Sequence, residues 1–354
     1  MTKGLDGCLF VYENTEWKAL EEKLEAYRKS LSPEELQNLV QKTKALEAYQ
    51  EEEEEPEALS CIPMLKREDI KKEAAHLTNE EIDLDGSLFL YHDVCTNGIG
   101  YLDLLFEFGT LTREETHYLG LLKSVLGYVD TEHYTYGELF NEINANTGGI
   151  YSGVEVFDNE NARDGFRAMF SVRGKALYPK MAFLFTMIRE ILETSKLEDT
   201  GRLYEIVAQV KSRAQANLVS AGHSTAVLRG ASYTSPMAAF QDEMAGVGYY
   251  HFIEKLEKEF DERKEELVSS LKKLMKRILR PEYFHVSYTG ERESLENVKS
   301  LCKELKKHLC KEQAETFGEA IICQKKNEGL KTSGQVQYVA QTGNFCKKGL
   351  SYTG

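Results

Sequence analysis

Eight histidines, seven cysteines and a few glycine-rich phrases are the residues of this 354-residue chain whose types could carry chemistry. A catalytic zinc is typically held by three protein ligands and a water, and two imidazoles share it most readily three or four residues apart on one helix face. His76, His92, His117, His133, His223, His251, His285 and His308 offer no such pair on a plausible helix, so they read as core or surface imidazoles. Cys8, Cys61, Cys95, Cys302, Cys310, Cys323 and Cys346 are odd in number, with no C-x-x-C pair and no zinc-ligand spacing. They read as reduced thiols that mostly fill core space in a cytosolic type of compartment.

Gly222-His223-Ser224-Thr225-Ala226 falls one residue short of the G-x-S-x-G elbow that exposes a nucleophilic serine. An elbow follows a strand, whereas the residues before Gly222 continue a helical pattern, so a helix stop is the better account. Asn146-Thr147-Gly148-Gly149 lies at the end of a helix, the wrong end for cradling a phosphate. Gly230, Gly246 and Gly248 read as places of close helix approach or bending.

The net charge of −14 repels phosphate backbones and argues against a nucleic-acid partner. No apolar run nears the roughly 20 residues of a membrane span, and no signal-peptide layout opens the chain. A cytoplasmic protein with no membrane partner is expected.

The elements that must position any site begin with a helical hairpin. Trp17, Leu20, Leu24 and Tyr27, then Leu36, Leu39, Val40 and Leu46, recur at helical spacing, and Ser32-Pro33-x-Glu35 opens the second helix as a capping box. The stripe is expected to pack between the two helices, with Glu51 to Glu55 and Pro56 as a repelling, solvated linker. Strands are expected at Ser87 to Val94 and Ile99 to Phe108, joined by a turn at Thr96-Asn97-Gly98. Capping boxes at Thr112-x-x-Glu115 and Thr135-x-x-Glu138 start two helices.

Strands at 150–157 and 165–172 follow, and then three long helices, at Tyr178 to Leu192, through Leu203 to Ala214, and through Leu256 to Ile278. A strand at Tyr283 to Thr289, a helix at Ser294 to Leu309 and strands near Phe317 to Cys323 and Gln335 to Ala340 end the chain. The fold class is α+β, mixed α/β layers with long helices packed on a sheet and a helical hairpin in front.

Several phrases, in this order, resemble the presequence-protease subfamily of the insulinase or pitrilysin zinc metallopeptidases. They are Gly4-Leu5 before the hairpin, Pro56-Glu57-Ala58-Leu59, Ile62-Pro63-Met64-Leu65 with Asp69-Ile70, and Thr96-Asn97-Gly98-Ile99 with Tyr101. Glu138-Leu139 to Gly148-Gly149 and Tyr233-x-Ser235-Pro236 belong to the same series. The resemblance implies two homologous halves, each of two related α/β domains, closing around a chamber. Residues 1–62 would be the hairpin linker, 63–320 the non-catalytic third domain with its metallopeptidase-type sheet, and 321–354 the first strand region of a fourth.

The family's H-x-x-E-H motif belongs to an absent first domain, which is where zinc is expected, and no cofactor is expected here. The Arg and Tyr pair of the fourth domain is also expected to lie beyond this chain. A related third domain implies a degenerate copy of the motif, and His117-Tyr118-Leu119-Gly120-Leu121 fits it, with Gly120 at the base position and Leu121 at the second ligand. His117 is then a packed or hydrogen-bonded remnant, and the chain alone is no enzyme. The expected role is hinge and chamber wall of a metalloendopeptidase that degrades unfolded peptides, with the N-terminal catalytic half as partner. A stand-alone peptide-binding or scaffold protein on a degenerate peptidase fold is the rival.

Overall fold

The computed structural model describes residues 10–12, 15–53, 55–73, 78–158, 165–312, 321–331, 336–345 and 349–350, with side chains from residue 22 onward. Two compact units emerge, residues 1–77 with 327–334, and 78–326 with 335–354. Labels run along the chain.

The first unit holds β1 (Phe10–Tyr12), α1 (Thr15–Ser30), α2 (Pro33–Glu51) and α3 (Pro56–Ser60). The capping box that starts α2 is formed, the Ser32 amide donating to Glu35 Oε2 at 2.8 Å and the Glu35 amide to Ser32 Oγ at 3.2 Å. The expected packing of the stripe is not seen. Leu24, Tyr27, Leu36, Leu39, Val40 and Leu46 are exposed and no residue of α2 is buried, while Trp17 and Leu20 lie outside the described side chains. Two helices alone offer too little surface to cover an apolar face.

The second unit carries a six-stranded sheet of β2 (Asn79–Leu84), β3 (Ser87–Asp93), β4 (Ile99–Glu107), β5 (Ile150–Asp158), β6 (Phe166–Leu177) and β7 (Phe284–Gly290), in the order β2-β3-β7-β4-β6-β5. In this sheet only β3 and β7 run parallel. Side chains alternate across a strand, so one face is apolar and buried. Phe89, Val286, Leu104 and Val172 stand side by side across four strands with almost no exposure. Burying each contributes about 1.5–3 kcal/mol. The other face carries polar pairs such as Arg173 with Asp103 at 3.2 Å and Glu155 at 2.9 Å.

The expected turn between β3 and β4 exists, with Asn97 and Gly98 at φ of 53° and 80°. The two strands are nevertheless not partners, because β7 lies between them and pairs with both. Glu291, just past β7, accepts from the Thr96 and Asn97 amides at 3.0 and 3.1 Å and ties the turn across that slot. The Tyr178 hydroxyl, with the Thr96 and Gly98 amides, holds its carboxyl down at about 2 against some desolvation. The strand β2 was not expected, although Asp85 and Gly86, both at positive φ, make a tight hairpin between it and β3.

Helices α4 (Arg113–Val125), α5 (Tyr136–Asn146), α6 (Met181–Thr194), α7 (Thr200–Ser220), α8 (Gly222–Ala231), α9 (Pro236–Ala245), α10 (Val247–Lys258), α11 (Phe260–Ile278) and α12 (Leu295–Lys307) complete this unit. The third long helix of the sequence reading is thus two, α10 and α11, broken at Glu259. A loop before α5 is clamped by the part-buried Glu190 of α6, which accepts from the His133 amide and ring at 3.0 Å each. Burial opposes ionisation of Glu190, but bonds from Thr131, His133 and Thr194 outweigh it and hold the carboxyl at about 2.

Of the two expected terminal strands, residues 317–320 and Gln335 lie outside the described residues. Residues 321–323 and 336–340 are irregular, and Tyr338 rests against His223 with ring centres 5.9 Å apart. Among the described residues neither 321–323 nor 336–340 has a sheet neighbour to complete a ladder. A last strand, β8 (Glu328–Leu330), pairs in parallel with β1 inside the first unit. The expected limits at 62 and 320 rest on kinship between domains, to which compactness does not speak. The fold class itself is mixed α/β, as expected.

Candidate functional site

Residues His117 to Leu121, where the resemblance implies a degenerate motif copy, sit on α4, and the start of that helix is set locally. The Thr112 amide donates to Glu115 Oε2 at 2.8 Å and the Glu115 amide to Thr112 Oγ1 at 3.2 Å, a complete capping box. Tyr118, Leu119, Leu121, Leu122 and Val125 then recur at helical spacing and are buried, which orients the face bearing His117 and Gly120 toward α9 and α10.

His117 is one turn beyond Arg113, and both reach the same carboxylate. His117 Nε2 lies 2.7 Å from Glu243 Oε2, and Arg113 Nε lies 3.1 Å from Glu243 Oε1. The imidazole also stacks on Phe252, centroids 4.5 Å apart at 18°. Burial favours the neutral acid of Glu243, but the His117 bond and the charges of Arg113, His117 and Arg229 prevail and lower its pKa. These contacts hold two elements of this unit together, since Arg113 and His117 are on α4 and Glu243 is on α9.

Gly120, where the resemblance implies the base position, has no room for a side chain. A Cβ there would lie 2.3 Å from the Met244 carbonyl oxygen and 2.8 Å from Tyr249 Cε2. The end of α9 and the start of α10 therefore occupy the space a catalytic glutamate would need. Leu121, at the second-ligand position, is fully buried in the core and offers no donor atom. A zinc does not fit this residue set: one imidazole, already bonded, faces a backbone carbonyl and a leucine. Among the described residues no group of three or more His, Cys, Asp or Glu is placed to hold a metal ion.

Asp242, beside Glu243, was missed by the sequence reading, as were Glu243, Arg113 and Arg229. It is buried, receives Arg229 Nη1 at 2.5 Å and accepts from the Val247 and Gly248 amides at 3.1 and 3.2 Å. It thereby satisfies the first donors of α10. Gly246 and Gly248 leave room for these carboxylates, since a Cβ on either would come within 2.6 Å of one of them. A signal was present, for Gln241 and two adjacent acids interrupt the apolar and small residues from Ala238 to Tyr250, and acids in such a run must find buried partners.

Among the described residues the other candidates are not brought together with His117, and His76 lies outside them. His92 meets Asn79 at 2.7 Å, His133 meets Glu190, and the pKa of His285 is lowered by burial on the sheet. Ser224 lies inside α8, with the end of α7 rather than a strand before it. The segment from Asn146 to Gly149 caps the C-terminus of α5, the Thr147 amide donating to the Ile143 carbonyl at 2.9 Å. Among the described residues no helix is long and apolar enough to cross a membrane.

A family model described as associated with peptidase M16, subfamily C, matches residues 11–256. Protein HypA of Clostridium perfringens (strain 13 / Type A) is 34% identical over 335 residues, covering 95% of this chain and 34% of that protein. Presequence protease 1, chloroplastic/mitochondrial, of Arabidopsis thaliana is 29% identical over 348 residues, covering 97% of this chain and 32% of that protein. The chain thus spans about a third of the length of these curated relatives. A solved inactive domain of a peptidase M16 from Pseudomonas fluorescens aligns with a TM-score of 0.45 at 12% identity, over 70% of this chain and 54% of that one, a likeness too loose to bear weight.

Proposed function

The chain belongs to the family associated with peptidase M16, subfamily C, and from that premise we propose that it is the non-catalytic portion of a zinc metalloendopeptidase that degrades unfolded peptides. In this reading the hairpin of the first unit is the hinge, residues 63–320 are the chamber wall, and 321–354 begin a further domain. The zinc would be held on the N-terminal half of the same polypeptide, whose H-x-x-E-H set this chain does not carry. The observation that bears most on the proposal is the filled motif on α4. The Met244 carbonyl and the Tyr249 ring crowd Gly120, which supports the reading of this helix as a degenerate metallopeptidase helix with no room for a base.

We read the compartment as a reducing one. Cys61, Cys95, Cys302 and Cys310 form no disulfide, which suits the reducing cytosol, or an organelle matrix of the kind named for the plant relative.

The test is turnover of an unfolded peptide by the zinc-bearing N-terminal half, alone, with this chain, and with this chain extended through the Arg and Tyr pair of the next domain. The expected result is weak activity with the short chain and a sharp rise with the extended one, because the added groups stabilise charge developing on the scissile carbonyl. An N-terminal half that works equally fast alone would show that no wall is needed.

A further inference from the structure

Next to the His117–Glu243 pair is a small pocket, lined among others by Arg113, Arg229, Tyr233 and Lys326 over Asp242 and Glu243, with Ile321 and Ile322 along one side. The two carboxylates are already engaged within the protein. Asp242 is held by Arg229 and two α10 amides, and Glu243 by Arg113 and His117. Their acceptor capacity is thus largely consumed. Arg113 bonds Glu243 through Nε alone among the described residues, and a guanidinium carries five N–H donors in a planar fork. Its terminal nitrogens remain for a ligand, on a side chain about half exposed. Arg229 and Lys326 also line the pocket, so its rim carries several cationic side chains beside the two engaged carboxylates.

We infer that this pocket takes a carboxylate of a bound peptide, the C-terminal one or that of an acidic side chain, on the outer fork of Arg113. A planar fork matches a carboxylate bidentately, and such charge-assisted pairs are the stronger hydrogen bonds. Inorganic phosphate offers similar oxygens, but the isoleucine ledge favours an acid with a carbon chain attached. Ile322 is 71% exposed and thus open to such a contact. The choice of a peptide as ligand rests on the function proposed above, whereas the preference for a carboxylate stands on the pocket itself.

The experiment uses the whole chain and two fluorescein-labelled decapeptides of one unfolded sequence, ending in a free carboxylate or in an amide, with binding read by fluorescence anisotropy. The acid is expected to bind about tenfold more tightly than the amide. Arg113→Lys keeps a charge beside Glu243 but loses the fork, and should bring the ratio below about threefold. Ile322→Asp touches neither buried carboxylate and should do the same by repulsion, with an unchanged unfolding midpoint. Equal binding of acid and amide, no binding of either, or a preference that survives both substitutions overturns the inference. So does displacement of the label by millimolar phosphate but not by excess unlabelled acid peptide. Reconstituted turnover that persists while acid and amide bind alike sinks the pocket alone, and a clear acid preference without turnover sinks only the function.

Discussion

Replacing Gly120 by alanine tests the claim that the base position is closed by packing. The new methyl carbon would lie 2.3 Å from the Met244 carbonyl oxygen and 2.8 Å from Tyr249 Cε2. Relief requires the backbone at the end of α9 to move, since a carbonyl cannot swing aside as a flexible side chain can. Overpacking of this kind costs up to about 3 kcal/mol. Alanine also raises helix propensity by about 1 kcal/mol over glycine. The expected net loss is therefore about 2 kcal/mol, read as a lower urea midpoint with an unchanged slope. Gly137, near the start of α5 with nothing within 4 Å of its virtual Cβ, supplies the control, and Gly137→Ala should be neutral or slightly stabilising. If Gly120→Ala matched Gly137→Ala in stability, the steric account of the lost base would be wrong.

The native pKa of Glu190 is held at about 2, below its unfolded value of about 4.5. It contributes stability that is fully present above pH 4.5 and is lost as pH falls toward 2. Glu190→Gln should lower stability at pH 7, by at most about 3 kcal/mol, and flatten the acid limb in that window. An unaltered acid limb in pH-dependent denaturation would contradict the clamp on the His133 loop. Restoring the motif with Gly120→Glu and Leu121→His together should not restore a metal site, because a polar ring would enter a fully buried apolar position and a carboxylate would meet a carbonyl. Metal analysis is expected to find no stoichiometric zinc in the double variant or the parent chain, and one tightly held zinc per chain would refute this.

Local signals were legible and long-range ones were not. The boxes at Ser32 and Glu35, Thr112 and Glu115, and Thr135 and Glu138 all form, because each is decided within four residues. The turn at Asn97-Gly98 is equally local. What the sequence hid is the insertion of β7 between β3 and β4, since nothing near residue 98 announces a strand beginning at Phe284. The partner of His117 is 126 residues away, so the spacing of histidines said nothing of Glu243. The break at Glu259 was obscured because Leu256 and Phe260 on either side of it are both buried and keep the helical stripe in step.

The late arrival of β7 bears on how the chain is made. Leu88 is separated by 197 residues from His285, whose ring accepts its amide. Until β7 leaves the ribosome, β3 and β4 flank an empty slot with two unsatisfied ladders in the middle of the nascent sheet. Such edges invite wrong partners, and contacts this distant in sequence form slowly. Any truncation upstream of Phe284 leaves that slot without its strand, and a chain stopped there exposes two strand edges that favour aggregation.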